Sequence, residues 1–429
     1  MARETAIALG RAAAQPPRLW NRDFLLLWQG QLVSSLGDVA YEIALGFWVL
    51  AATGSTAIMG TLMAATSLPR IVLSPLAGVV VDRGDRRWIL VWSDALRGAA
   101  IALVGVAALA GAVRLWMVFA AGVVLGACGA FFGPAVGSAL PDIVPPDRIV
   151  KANSAFGLIG TGTGILGNAG SGLIYALLGA PLLFLFNGLS FLYAAATTVL
   201  IRVPAIARQG APAGFWHDLR DGLSYIWRIA GLRDLILLAA GMNFFGVMGI
   251  TLVLPLFQRT AGLGPARYGI AMAAVAVGEL LGMALTSAVD VPPRQRFLTT
   301  CAGLALTCLA WSAFPLVGFY PMLALGLVGT VCNAVVNILI GSVMQITTPQ
   351  EMRGKVFALM GAVTGSLMPL AMAAAGMLAE FLGLRLLIAL SFAAPLALTL
   401  PLFFSRPFKR FINFDPAAQP QAAGTAIDR

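Results

Sequence analysis

The 429-residue chain is 59% hydrophobic and only 11% charged, with a formal net charge of +10. Soluble domains average roughly 45–50% apolar and about 25% charged residues, so the composition excludes a globular enzyme on a single anchor and requires a polytopic membrane protein. The positive balance would suggest nucleic acid for a soluble chain. Here the cations fall in short gaps between apolar runs, where they set orientation instead.

Residues 1–22 read as a basic tail without the apolar core of a signal peptide. Twelve apolar runs follow, at 24–52, 57–81, 88–110, 115–136, 150–178, 181–201, 233–258, 267–289, 297–316, 320–345, 354–380 and 384–404. A span needs about 20 such residues at 1.5 Å rise each. Turn formers around Gly179 and Gly318 mark the two tightest gaps. With both termini cytoplasmic, 22 of the 28 Lys and Arg fall on the cytoplasmic side. Four fall outside (Arg114, Arg259, Arg267, Arg385), and Arg70 and Arg97 lie within spans. Positive charge stays inside, so this bias fixes the orientation and an even span count. The expected location is a bacterial cytoplasmic membrane.

Residues 203–232 form the longest internal connector. There Phe215, Leu219, Leu223 and Ile226 share one helical face, and Trp216, Tyr225 and Trp227 suit the membrane boundary, so an interfacial helix is expected. Residues 411–429 are polar and proline-bearing and read as a disordered tail. The expected domains are a tail (1–22), a six-helix bundle (23–202), a linker (203–232), a second six-helix bundle (233–405) and a second tail (406–429). The four cysteines lie in apolar runs without CxxC spacing and His217 is the one histidine, so neither a metal nor a cofactor is expected.

The halves repeat. GSALPDIVPPDRIVK (137–151) aligns with GSVMQITTPQEMRGK (341–355), with identities at Gly137/Gly341, Ser138/Ser342, Pro145/Pro349 and Lys151/Lys355. Six spans per half preserve orientation, giving a parallel repeat about an axis along the membrane normal. Such proteins place substrate between halves that rock against each other.

Several ionisable residues sit inside the spans. Asp38 and Glu42, four apart on the first span, share a face. Arg70, Arg97 and Glu279 lie in the middle of spans 2, 3 and 8. A charge near the bilayer centre costs on the order of 2.5–3.5 kcal/mol by insertion scales, so such groups face a protein interior or hydrated cavity and often carry protons or ligands. One reading has Asp38, Glu42 or Glu279 alternately binding a proton and substrate. The other is structural pairing, such as Asp38 with Arg70, or Asp94 with Arg97 at i, i+3. Glu380, near the outer end of span 11, is expected to snorkel to water. Gln31, Ser34, Tyr41, Trp48, Asn243, Phe244, Phe245, Met248, Asn333 and Asn337 are candidate cavity residues, because aromatic, Met and amide groups suit an amphipathic ligand.

The stretch Gly78-Val-Val-Val-Asp82-Arg83-Gly84-Asp85-Arg86-Arg87 resembles the loop 2–3 signature of the major facilitator superfamily, G-x-x-x-D-R-x-G-R-R. Asp85 replaces the usual glycine, as in the macrolide-efflux branch of the drug/proton antiporters. That branch is also similar in 131–153, in Ser93, Asp94 and Arg97, and in 353–372. The glycine-rich fifth span sits where antiporters carry G-P-x-x-G-G, but Asn168 replaces Pro and Ser171 replaces Gly.

The resemblance implies an all-α membrane protein of twelve helices in two pseudo-symmetric bundles. It also implies a cytoplasmic gate of Gly78, Asp82, Arg83, Arg86, Arg87 and Asp142. Asp82 would cap the start of span 11, an arginine would pair with Asp142, and both contacts would break in the inward-facing state. The expected function is export of amphipathic drugs or metabolites by proton antiport; the alternative is a siderophore or other anionic, lipid-like metabolite received by Arg70 and Arg97. Expected partners are a small-molecule substrate, protons and the lipid bilayer, with no nucleic acid, for a monomer. HExxH, GxSxG and G-x-x-x-x-G-K-[ST] are absent from the sequence, which argues against an enzyme or an ATP-driven pump.

Overall fold

The computed structural model describes residues 19–145, 148–202 and 215–415, and all regular structure among them is helical. The helices are α1 (Arg22–Thr53), α2 (Thr56–Arg83), α3 (Arg86–Leu109), α4 (Leu115–Ile143), α5 (Ile149–Val199), α6 (Phe215–Arg228), α7 (Ala230–Thr251), α8 (Val253–Arg259), α9 (Gly264–Ala288), α10 (Pro293–Ala313), α11 (Phe319–Thr347), α12 (Gln350–Ser366), α13 (Met368–Leu382), α14 (Leu384–Phe404) and α15 (Arg406–Ile412). Eleven helical stretches are long and apolar enough to cross a membrane. The first arm of α5, before Gly179, occupies the place of the expected fifth span.

Three breaks follow from backbone chemistry. Gly179 takes φ 73°, ψ 172°, which divides α5 into two arms. Pro255 and Pro369 each place a ring against the carbonyl four residues earlier, and the chain leaves helical hydrogen bonding just before them, at Leu252 and Leu367. So α7–α8 and α12–α13 are each one broken span, counted as Ala230–Arg259 and Lys355–Leu382.

The chain forms two compact units. The first holds the described residues of 1–42, 69–167 and 180–208; the second holds those of 43–68, 168–179 and 209–429. Helices α1, α2 and α5 contribute to both. The first unit packs around Phe24, Leu27, Leu90, Phe132 and Leu140. The second has a core of Leu252, Phe257, Trp311, Phe314 and Ile388, and another of Ile226, Leu235, Phe297, Met344 and Phe408. Large apolar side chains remain uncovered on many helices, Leu103 at 71% and Phe404 at 84% exposure among them, which suits a lipid environment.

On α6 the buried positions are Gly222, Ile226 and the following Ile229, and Leu223 is 46% exposed beside Trp227. The bare Gly222 admits Leu359 of α12. The side chains of Phe215, Trp216 and Leu219 lie outside the described residues. One expectation, for the C-terminal stretch, is corrected here. Residues 411–415 belong to a docked segment, not to a disordered tail. Phe408, Phe411 and Ile412 form a buried i, i+3, i+4 stripe, Asn413 Oδ1 accepts from Phe297 N at 2.8 Å, and Arg296 donates to Phe414 O at 3.1 Å. Residues 1–18, 203–214 and 416–429 of the expected tails and linker lie outside the described residues.

Candidate functional site

The first unit gathers the intramembrane charges. On α1, Gln31, Ser35, Asp38 and Glu42 recur at i, i+4, i+7 and i+11, within about 60° of one another on the helix. Gln31, Ser35 and Asp38 are half-buried and Glu42 is exposed. Asn187 of α5, fully buried, donates from Nδ2 to Asp38 Oδ1 at 3.3 Å. Gly37 makes this possible: a Cβ there would run into the Asn187 amide and the Ser190 hydroxyl, so the missing side chain lets the helices meet beside Asp38. Ser190 Oγ in turn donates to Asn187 O at 2.8 Å.

Asp94 and Arg97 of α3 form a buried ion pair at 2.5 Å. Arg97 also donates to Ser93 O at 3.2 Å and lies 4.4 Å from the ring centroids of both Phe132 and Phe191. An i, i+3 carboxylate, a backbone carbonyl and two aromatic faces together make a buried guanidinium tolerable. Arg97 and Arg70 both act electrostatically on Asp38, and Asp38 acts on Glu42 and Asp94. Arg70 is exposed and makes no ion pair with Asp38, so the expected Asp38–Arg70 contact is replaced by Asp38–Asn187. The linked set holds three carboxyls and two guanidiniums. Fully ionised it carries one excess negative charge, which a single proton neutralises.

Ser34 and Tyr41 do not share that stripe. Ser34 is buried and donates to Gln31 O at 3.2 Å within its own helix. Tyr41 is buried against Phe184 at 5.3 Å between centroids. Both are packing residues here.

The second unit contains a cavity of about 460 Å³ between α7, α10, α11 and α14. Asn243, Asn333 and Asn337 line it with Met242, Trp311 and Phe392. Asn337 Nδ2 donates to Asn333 Oδ1 at 2.8 Å, leaving the Asn333 amide donors and the Asn337 carbonyl for a ligand. Phe244 and Phe245 stack edge-on at 5.3 Å and, with Met248, belong to the adjacent core, not to the cavity wall. Glu279 on α9 is exposed. It lies two residues, about 200° of helix rotation, from Val277. Val277 belongs to the exposed apolar stripe Ile270–Val277–Leu281–Leu285, so Glu279 occupies the opposite face of the helix from the lipid-type stripe.

At the expected gate, Arg86 pairs with Asp142 at 2.5 Å, both nearly buried, and Arg87 donates to Val199 O. Asp85 caps α3, accepting from the backbone N–H groups of Arg87 and Trp88. Arg83 is exposed, and open space surrounds the Cα of Gly78. The Asp82 side chain lies outside the described residues. The Arg86–Asp142 pair joins α3 to α4 inside the first unit. The expected pairing of an arginine with Asp142 is present.

At the arginine-poor end of the second unit, packing joins the ends of α1, α2 and the first arm of α5 to the C-terminal helices of the same unit. Gln258 donates to Phe47 O at 3.2 Å and Arg259 to Gly54 O. Phe47 stacks on Tyr175 at 4.8 Å and meets Tyr268 edge-on at 5.5 Å. Gly60 and Gly376 bring the α2 and α13 backbones together. Glu380 is exposed, as expected of a side chain reaching water, and also accepts from Ser55, Thr56 and Ala57. Sequence reasoning also missed Asn187 and Ser35. The available signal was a polar residue inside an apolar run, which a search for ionisable groups passes over.

Multiple spanning helices, charges sheltered within them and a polar-edged internal cavity define a membrane transporter. Residues 27–372 match the Major Facilitator Superfamily, and the chain belongs to that family of secondary transporters, which are not enzymes. It is 24% identical over 380 residues to macrolide efflux protein A of Streptococcus pyogenes, covering 85% of this chain and 91% of that one. It is 28% identical over 417 residues to the multidrug efflux pump Tap of Mycobacterium tuberculosis, covering 92% and 96%. Among solved structures it resembles a bacterial homologue of the iron transporter ferroportin in the inward-facing state, with a TM-score of 0.68, 19% identity and coverage of 91% and 98%. A bacterial homologue of the lysosomal transporter Spinster, inward-facing and unoccupied, gives a TM-score of 0.66 at 15% identity, covering 92% and 97%. These two likenesses concern the fold.

Proposed function

We propose that this transporter exports amphipathic small molecules by proton antiport with alternating access. The observation that carries the reading is the set of Asp38, Glu42 and Asp94 with Arg70 and Arg97, whose single excess negative charge is matched by one proton. Asp38 and Glu42 sit at the least buried part of that set and are its exchangeable members; Asp94, locked to Arg97, is structural. The unit-two cavity supports the cargo class, because apolar, sulfur and aromatic walls with a few amides accept an amphipathic molecule. Relatives named as macrolide and multidrug efflux pumps support the direction of transport.

The charge bias supports a cytoplasmic arginine-rich end and both termini inside. The packed arginine-poor end is then the outer one. The internal repeat supports two six-helix bundles, 23–202 and 233–405, as the moving bodies, linked by 203–232.

Purified protein in liposomes tests this. A pH gradient, acid on the side opposite the substrate, should accelerate dye or drug transport, and Asp38→Asn should remove the acceleration. Gradient-independent transport by the wild-type protein would refute proton coupling.

A second reading is favoured by Arg70, an exposed guanidinium with no ion pair among the described residues. It would receive the acid group of an anionic metabolite. Thermal-shift titrations with cationic, neutral and anionic compounds separate the readings: stabilisation by anions that is lost in Arg70→Gln supports the second.

A further inference from the structure

We infer that Glu380 is the outer-gate residue of the transport cycle: its carboxylate holds the N-terminus of α2 against α13, and external protons release it. The inference uses the proposed outward placement of the arginine-poor end but no assumption about cargo.

Helix α2 begins at Thr56, so four backbone N–H groups there lack intrahelical partners. The structure assigns all four. Thr56 N and Ala57 N donate to Glu380 Oε1 at 2.7 and 3.2 Å. Ile58 N donates to Ser55 Oγ at 3.3 Å and Ser55 N to Thr53 Oγ1 at 3.2 Å, while Met59 N, donating to Ser55 O at 3.4 Å, makes the first bond of the helix itself. The hydroxyls of Ser55 and Thr56 add bonds to the same carboxylate oxygen at 3.0 and 2.9 Å. One oxygen from a helix more than 300 residues away thus accepts four hydrogen bonds at the positively polarised end of α2.

The surrounding contacts depend on the same closure. The one Thr56 hydroxyl proton is shared between Glu380 Oε1 and Gly376 O, the latter 3.1 Å away, and Gly60 and Gly376 permit the backbone approach. Among the described residues no other acid bonds to the cluster. Arg259, which holds Gly54 O, and Arg385, at the start of α14, are the nearby cations at this end. Neither bonds to Glu380. The carboxylate is itself exposed, so water and protons reach it.

This arrangement is reversible by construction. Thr56 is buried by this contact, so when α2 moves away its N–H and that of Ala57, at the end of the helix, become open to water. A protonated carboxyl keeps an acceptor oxygen but loses its charge, and with it the attraction to the helix terminus. External acid therefore favours the open outer gate, the state that releases exported cargo and takes up a proton.

The test is a distance measurement by double electron–electron resonance. Spin labels at Ala52→Cys and Leu382→Cys, in full-length protein with its four native cysteines replaced by alanine and held in lipid nanodiscs, report the outer gap. At neutral pH the wild-type background should give one short-distance population. Acidification well below pH 4.5 should add a longer one, and Glu380→Gln should add it at neutral pH and abolish its pH response. The charge removed lies at an exposed helix terminus, so the longer population should rise roughly two- to fivefold. A Glu380→Gln distribution that matches wild type at both pH values would overturn the gate role. Equal pH responses in wild type and variant would overturn the proton release. Neither outcome bears on Asp38-dependent cargo coupling, which the liposome assay reads separately.

Discussion

Asn187 donates to Asp38 at 3.3 Å across 149 residues of sequence, from the second arm of α5 to the middle of α1. The contact exists because Gly37 has no side chain to hold the helices apart. A carboxylate inside a span is thereby hydrogen-bonded by a neutral amide, while Arg97 and Arg70 act on it through space without an ion pair.

Replacing Asn187 with alanine should preserve insertion and folding but shift the pH dependence of transport. A hydrogen bond to a charged group contributes about 1.5 kcal/mol or more, close to a tenfold change in proton affinity. Transport rates across pH 5–9 in liposomes check this, and an unchanged profile would leave Asp38 positioned by something else.

Gly37→Ala should act on the same pair by another route. The added methyl group meets the Asn187 and Ser190 side chains, so α1 and α5 must separate. The expected result is a lower melting temperature in detergent together with the Asn187→Ala transport profile. A melting change without the profile change would mean that the close approach serves packing alone.

The Asp94–Arg97 pair should behave as a structural element. Removing one partner of a buried ion pair costs roughly 3–5 kcal/mol, whereas replacing both by apolar groups is far milder. Asp94→Leu and Arg97→Met should each cut the yield of folded protein sharply, and the double variant should recover much of it. Size-exclusion profiles after solubilisation measure the recovery.

Arg86 and Asp142 give a similar contrast at the arginine-rich end. Because this pair lies within the first unit, Arg86→Met should lower thermal stability while leaving the spin-label distances at the opposite end unchanged. A shift in those distances would place the pair in the conformational switch.

In the second unit, Asn333→Leu should weaken binding of an amphipathic cargo about tenfold by removing amide donors from the cavity wall while adding apolar surface. Phe244→Leu should have little effect, since that ring belongs to the neighbouring core. Quenching of tryptophan fluorescence, with Trp311 in the cavity lining, provides the readout.

Much of this molecule was legible along the chain because a bilayer imposes one-dimensional rules. Span length, the asymmetry of arginine between gaps and the price of a mid-span carboxylate are all local properties, and they gave the helices, the transporter class and the interest of Asp38. The repeat and the Gly78–Arg87 stretch extended that reading to the family. Partner choice is not local. Whether Asp38 meets Arg70 or Asn187, whether Glu380 also meets the start of α2, and whether Asn333 or Phe244 faces a void depend on helix rotation and on which backbones approach. Small residues such as Gly37, Gly60 and Gly376 set that approach through the absence of a side chain, which only their neighbours in space make visible. The sequence by itself determined what crosses the membrane and where charge is hidden; the tertiary structure decided which groups hold that charge and close the outer end, because those contacts join helices hundreds of residues apart.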